Sequence, residues 1–143
     1  MKSSHSMRHK RIDEDKFKIL SDMCRVICDR VGNANGLNLA GWDGKGEPEF
    51  TEDVIRFNGV IDDSGMLAHE TFEIMRTRSG GHGCKTGFKP YNEAVVLCLA
   101  AACDIVGDEF KFTSADGDDV ILGAKEAYAK MRCAMRKEQR ATA

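Results

Sequence analysis

The sequence predicts an α+β domain: a small, mostly antiparallel sheet with helices packed on one face, in the order α-β-β-α-β-α. Apolar residues recur at three- and four-residue steps near both ends of the chain, as on the buried face of a helix. Two segments in the middle, carrying β-branched and aromatic residues, flank a strong turn signal. After them, residues 94–103 are apolar nearly all round, the pattern of a central buried helix. A length of 143 residues suits one domain, and 42% apolar against 31% charged residues is a globular balance.

Residues 1–11 are polar and basic and read as a disordered or tag-derived start; the domain is expected over residues 12–138, with a frayed end over 139–143. Asp13 begins the first helix, whose buried face is Phe17, Leu20, Cys24, Ile27, Cys28 and Val31. Asp13, Glu14 and Asp15 suit its N-terminus, where the dipole favours negative charge, and Gly32 and Asn33 end it. Residues 32–48 form a long loop without periodicity, a kind that is often functional, and Trp42 is expected to pin it to the core. Residues 52–60 and 69–77 read as two strands of an antiparallel hairpin around the turn 61–65. Residues 78–88 form a basic, glycine-rich loop, and Pro90 opens the buried helix that Gly107 stops. Phe110 and Phe112 alternate in a third strand over 109–113, and the turn 114–118 supplies a cap for the last helix, about 120–137. That helix turns Val120, Ile121, Ala124, Tyr128, Met131 and Met135 inward.

The net charge of −2 excludes a protein that binds nucleic acid through overall charge, and no DNA partner is expected. No apolar run is long enough to span a bilayer and no signal-peptide core is visible, so no membrane association is expected. The cysteines Cys24, Cys28, Cys84, Cys98, Cys103 and Cys133 contain no C-x-x-C and read as small buried hydrophobes of a reducing compartment. The expected location is cytoplasmic. Acidic residues crowd between Asp43 and Glu73, and basic ones between Lys125 and Arg140, an asymmetry that can steer self-association or gather an anion.

The most informative stretch is Gly80-Gly81-His82-Gly83-Cys84-Lys85-Thr86-Gly87-Phe88-Lys89-Pro90-Tyr91-Asn92. Its glycines let a backbone approach a ligand closely. Arg76, Arg78, Lys85 and Lys89 supply charge, and the stretch leads to a helix N-terminus, which favours anions. A phosphate or pyrophosphate site follows from these features; the alternative is a flexible loop with surface lysines. Lys85-Thr86 resembles the end of a P-loop, but Ser79 and Cys84 stand where that motif needs glycine. Arg56, Phe57 and Asn58 at a strand end offer phosphate pairing, base stacking and amide readout, although Asn58-Gly59 also suits a plain turn. His69 and Glu70 with Asp62 and Asp63 have the residue types for acid–base or metal chemistry, yet no second histidine lies at ligand spacing, so a cross-strand polar face is the preferred reading and no metal or cofactor is expected. Asp116-Gly117-Asp118-Asp119 lacks the closing glutamate and preceding helix of a calcium loop and reads as a helix cap. No orienting group marks His82 and Cys84 as a nucleophilic pair, so no catalytic residue is assigned.

Phe57-Asn58-Gly59, the acidic turn, His69-Glu70-Thr71-Phe72, Cys84-Lys85-Thr86, Lys89-Pro90-Tyr91 and Ser114-Ala115-Asp116-Gly117 together resemble a family of small phage proteins, the Thoeris anti-defence sponges, over roughly residues 42–128. The resemblance implies a cytoplasmic, non-enzymatic oligomer built from dimers that binds a cyclic ADP-ribose isomer or a cyclic oligonucleotide without degrading it. Two positions depart from that pattern: Gly83 stands where an aromatic commonly precedes Cys-Lys-Thr, and Asn92 where an aspartate is common. The expected ligand-binding residues are Arg56, Phe57, Asn58, Lys85, Thr86, Phe88, Lys89, Tyr91 and Asn92. The competing readings are an interaction protein that docks on a host protein through its basic C-terminal helix, and a nucleotide-processing enzyme using His69, Glu70 and Asp63.

Overall fold

The structure, a computed structural model, describes residues 3–35, 39–61, 68–87 and 89–142. The fold is α+β. Its elements in chain order are β1 (Ser4–His9), α1 (Glu14–Asn35), β2 (Leu39–Ala40), β3 (Glu49–Phe50), β4 (Val54–Gly59), β5 (Phe72–Met75), β6 (Gly80–Lys85), α2 (Asn92–Val106), β7 (Phe110–Ser114) and α3 (Asp118–Thr142). The expected order is kept in outline, with a strand added before it and the strands β2, β3 and β6 added between α1 and α2. The turn at Asp62–Gly65 and Phe88 lie outside the described residues.

The N-terminal strand is the main correction to the sequence reading. Far from a disordered start, Ser4–His9 is the central strand of an antiparallel sheet, β6-β1-β7. His5 lies opposite Cys84 and Ser114, and His9 opposite Gly80 and Phe110. The glycine-rich stretch is corrected with it: residues 80–85 form the edge strand β6 rather than a loop, because β1 supplies the ladder partner that its glycines cannot recruit by side-chain packing. A second antiparallel sheet is built on β4, with β5 along one side and the short β3 and β2 pairing with it as well. The two sheets join where Glu70 N donates to Lys85 O and His82 Nε2 donates to Glu73 O.

α2 is the core of the molecule. Ala94, Val95, Leu97 to Ala102 and Val106 are all buried, and α1 and α3 both pack against it. Its small residues let neighbouring elements come close on every side. Gly107, at a positive φ of +88° that suits glycine, ends it, its N–H donating to Cys103 O. Asp13 caps α1: its Oδ2 accepts from Lys16 N at 3.1 Å. Cys24, Cys28, Cys84 and Cys98 are buried as expected, while Cys133 is exposed. Trp42 does not pin the 39–48 segment to the core; its side chain is 58% exposed. Among the described residues, no helix is long and apolar enough to cross a membrane.

Candidate functional site

The residues expected to bind a ligand separate into two groups. Phe57 is fully buried, packed on Phe72 with ring centroids 5.1 Å apart, so it is a core residue and not a stacking platform. Asn58 is spent on the backbone: its amide donates to His69 O and accepts from Gly59 N and His69 N. Arg56 lies between two carboxylates, 3.4 Å from Glu49 and 3.3 Å from Glu73. Glu73 also holds Arg78, and Asp53 holds Arg76. Glu49, Asp53 and Glu73 of the acidic patch are therefore engaged with arginines around the second sheet. Tyr91 is buried with its hydroxyl donating to Glu70 O at 2.6 Å, and burial raises its pKa well above the usual phenol range.

Thr86 and Asn92 are brought together, but inward. Asn92 Oδ1 lies 2.6 Å from Thr86 Oγ1, 2.7 Å from His5 Nε2 and 3.1 Å from Ser3 Oγ. A carbonyl oxygen only accepts, so His5 carries its proton on Nε2. His5 Nδ1 then accepts from the Ser114 hydroxyl at 3.1 Å, and Ser114 Oγ in turn accepts from Asp116 N. This chain of polar groups ties β1, the end of β6, the start of α2 and the end of β7 into one unit. Thr86 is completely buried. Cys84 faces the same interior; burial pushes its thiol up to about 12, so it is no thiolate nucleophile at neutral pH.

Lys85 is different. The strand period of two turns His5, Met7, His9, Cys84, Phe110 and Phe112 onto the helices and leaves Ser6, Arg8, Gly81, Gly83, Lys85, Lys111 and Thr113 on the open face. Arg8 stands between Gly81 and Lys111 across the sheet, Ser6 between Gly83 and Thr113, and Lys85 opposite Ser4. None of these outward positions carries a carboxylate. Among the described residues, Arg8, Lys85 and Lys111 form no ion pair. Glu70 lies at the β6 edge, where its Oε1 accepts from Lys85 N. A concavity of about 550 Å³ lies on this face, floored by Ser6, Gly81 and Gly83 and walled by Arg8, Lys111 and Thr113.

Other concavities are less selective for charge. A cavity of about 560 Å³ between α1 and the 39–48 segment sets Arg25 and Lys45 beside Asp29 and Glu47. A groove of about 610 Å³ between α2 and α3 carries Lys125, Arg132 and Arg136, next to Asp104 hydrogen-bonded to Tyr128. Lys89 is half-buried at the turn into α2, and His69 lies against Gly87. Among the described residues, no group of three or more histidines, cysteines and carboxylates gathers as a metal site.

Sequence reasoning missed Arg8, Lys111, Ser6 and Thr113. The signal for Lys111 and Thr113 was present, since the inward phase of Phe110 and Phe112 puts both outside. For β1 it was masked, because its inward phase is His5, Met7 and His9, and two imidazoles hide the apolar alternation that marks a strand.

Fold and site together define an α+β domain that offers solvent an open, cationic, glycine-floored sheet face. No protein-family model, curated protein or solved structure matches the chain.

Proposed function

We propose that the protein is a non-enzymatic binder that sequesters a phosphate-bearing nucleotide signal of the cyclic type on the open face of the β6-β1-β7 sheet. One observation carries this reading: Arg8, Lys85 and Lys111 share that face with no outward carboxylate among them, around a floor of bare glycine backbone. Guanidinium and ammonium groups that form no ion pair among the described residues favour a multiply charged anion, and Arg8 can pair a phosphate through two parallel hydrogen bonds. Ser6 and Thr113 add hydroxyls suited to ribose or phosphate oxygens. That the anion is a cyclic nucleotide is supported by the motifs that resemble the phage sponge family, of which Lys85 lies on the face itself. Sequestration works by mass action, since tight binding holds the free signal below the threshold of its receptor, and the bound molecule leaves unchanged.

The experiment is a thermal-shift and calorimetric screen against cyclic ADP-ribose isomers, cyclic dinucleotides and cyclic trinucleotides, with the released ligand checked by mass spectrometry. A ligand at a hundredfold excess over its Kd stabilises the fold by about 2.7 kcal/mol, a large shift for a domain of this size. The expected result is such a shift with intact ligand, lost when Arg8 and Lys111 are both changed to Ala. No shift with any member, or a ligand recovered in altered form, overturns the proposal.

A further inference from the structure

Two buried nitrogens lie near the seam of the two sheets without a use in the fold. His9 is 2% exposed, and its Nε2 has no hydrogen-bond partner among the described residues. The same holds for the buried Nδ1 of the half-buried His82. His5, on the same strand as His9, gives the contrast, with one nitrogen engaged by Ser114 and the other by Asn92. The remaining nitrogen of each ring fixes the tautomer. His9 Nδ1 lies 2.7 Å from Lys10 O and His82 Nε2 lies 3.0 Å from Glu73 O. A carbonyl only accepts, so the neutral rings carry their protons there and leave His9 Nε2 and His82 Nδ1 as bare lone pairs. An imidazole anchored through its N–H on a backbone carbonyl is the arrangement that orients a metal-binding histidine.

The placement turns the two lone pairs toward each other. His9 lies opposite Gly80 and His82 opposite Met7, so the histidines are diagonal neighbours on the inward side of the β1–β6 ladder, and Gly80 sets no side chain between them. β6 has β1 along one edge and β5 at the other. His82 turns its N–H to Glu73 of β5, which leaves Nδ1 on the side of β1, where His9 stands. The ring centroids are 5.9 Å apart. With metal–nitrogen bonds of about 2.0–2.1 Å, two imidazole centroids stand about 5.2 Å apart across a tetrahedral angle and about 6.4 Å apart across a straight one. The observed spacing falls between these, nearer the straight arrangement. Independently of the sheet's open face, we infer that His9 Nε2 and His82 Nδ1 are the two protein ligands of a low-coordinate metal site that suits monovalent copper. Among the described residues no group of three or more histidines, cysteines and carboxylates adds a further ligand, whereas zinc in proteins takes four ligands. Arg78, whose charge acts on His9, opposes a dication more than a monocation.

The test is an anaerobic titration of the full chain with Cu(I) against a chromophoric chelator, followed by copper X-ray absorption on the one-to-one complex. Cys133→Ser, which removes the exposed thiol, serves as the background. His82→Phe and His9→Phe are compared in that background, with circular dichroism reporting whether each variant folds. The expected result is one Cu(I) with two nitrogen neighbours and no sulfur, a rise in the thermal unfolding midpoint on loading, and loss of that site in His82→Phe and in His9→Phe. A shell containing sulfur, or a site that survives His82→Phe, assigns the copper to cysteines or to other histidines and overturns the proposal. Zn(II) that raises the midpoint more than Cu(I) through the same two histidines overturns the choice of ion. No binding of Cu(I) overturns the site itself and leaves the two nitrogens to a shared water.

Discussion

Asn92 shows how little a residue's type says about its direction. An amide at the start of a helix beside a glycine-rich segment suits a ligand contact. In the structure it is the acceptor that closes a buried network with Ser3, His5 and Thr86. Removing it strands several buried donors at once, and a buried unsatisfied polar group costs about 1–3 kcal/mol. Asn92→Ala is therefore expected to lower the unfolding free energy by about 2 kcal/mol in urea denaturation, within the range for an unsatisfied group, while leaving anion affinity nearly unchanged. A ligand-contacting Asn92 would give the opposite pattern. His9 invites a pH test. Its ring stacks on Phe110, Nδ1 donates to Lys10 O, and the buried Nε2 has no hydrogen-bond partner. Burial, more than the neighbouring His82 and Arg78, lowers its pKa below the ordinary histidine value of 6.5, and Lys10 O opposes the shift. The folded state holds His9 neutral, so the unfolded chain takes up protons more readily. Its contribution to stability is whole above the ordinary value and is lost as pH falls through 6.5 toward the folded pKa. The denaturation midpoint is expected to drop between pH 7.5 and pH 5, and His9→Asn is expected to flatten that slope.

At the scale of elements, β1 and β6 depend on each other. β6 is glycine-rich, with weak intrinsic preference for a strand, and holds its extended form through a full antiparallel ladder to β1. β1 also carries β7 on its other side. Deleting residues 1–9 removes the central strand, leaves both neighbours without a partner and takes His5 out of the buried network. The expected outcome is loss of cooperative thermal unfolding and a rise in dye-accessible apolar surface. A truncated chain that melts as sharply as the whole would show that β1 is dispensable. α1, α2 and α3 needed no such remote partner to be read from the sequence, because each carries its own period or apolar run, and their starts and ends lie within a few residues of the expected positions.

For the whole molecule, the net charge of −2 says little about where an anion would go. The acidic residues Glu49, Asp53 and Glu73 neutralise Arg56, Arg76 and Arg78 around the second sheet, while Arg8, Lys85 and Lys111 on the first form no ion pair among the described residues. A protein acidic overall therefore presents a local positive face. Exposed charges are screened over a Debye length of about 10 Å at 0.1 M salt and about 3 Å at 1 M. Affinity for a phosphate-bearing ligand is expected to fall severalfold from 0.05 to 0.5 M sodium chloride, read by calorimetry at constant pH. Salt-independent affinity would place the ligand in an enclosed or apolar site instead.

The sequence by itself determined the fold class, the three helices, the hairpin of β4 and β5, the strand β7 and the central, buried place of α2. These are local patterns, legible because helix and strand periods and stop signals lie within a few residues of one another. It also pointed to Lys85 within the glycine-rich stretch. Only the tertiary structure decided that residues 4–9 form the central strand, that the glycine stretch is an edge strand, and that Phe57, Thr86, Tyr91 and Asn92 face the core. It alone put Lys85 on a face with Arg8 and Lys111, residues 77 positions before and 26 after it in the numbering. The physical reason is that pairing across a sheet joins segments far apart in the chain. Which side of a strand meets water is set by what packs on the other side, and for β1 and β6 that is helices whose contacts no local pattern in those strands records.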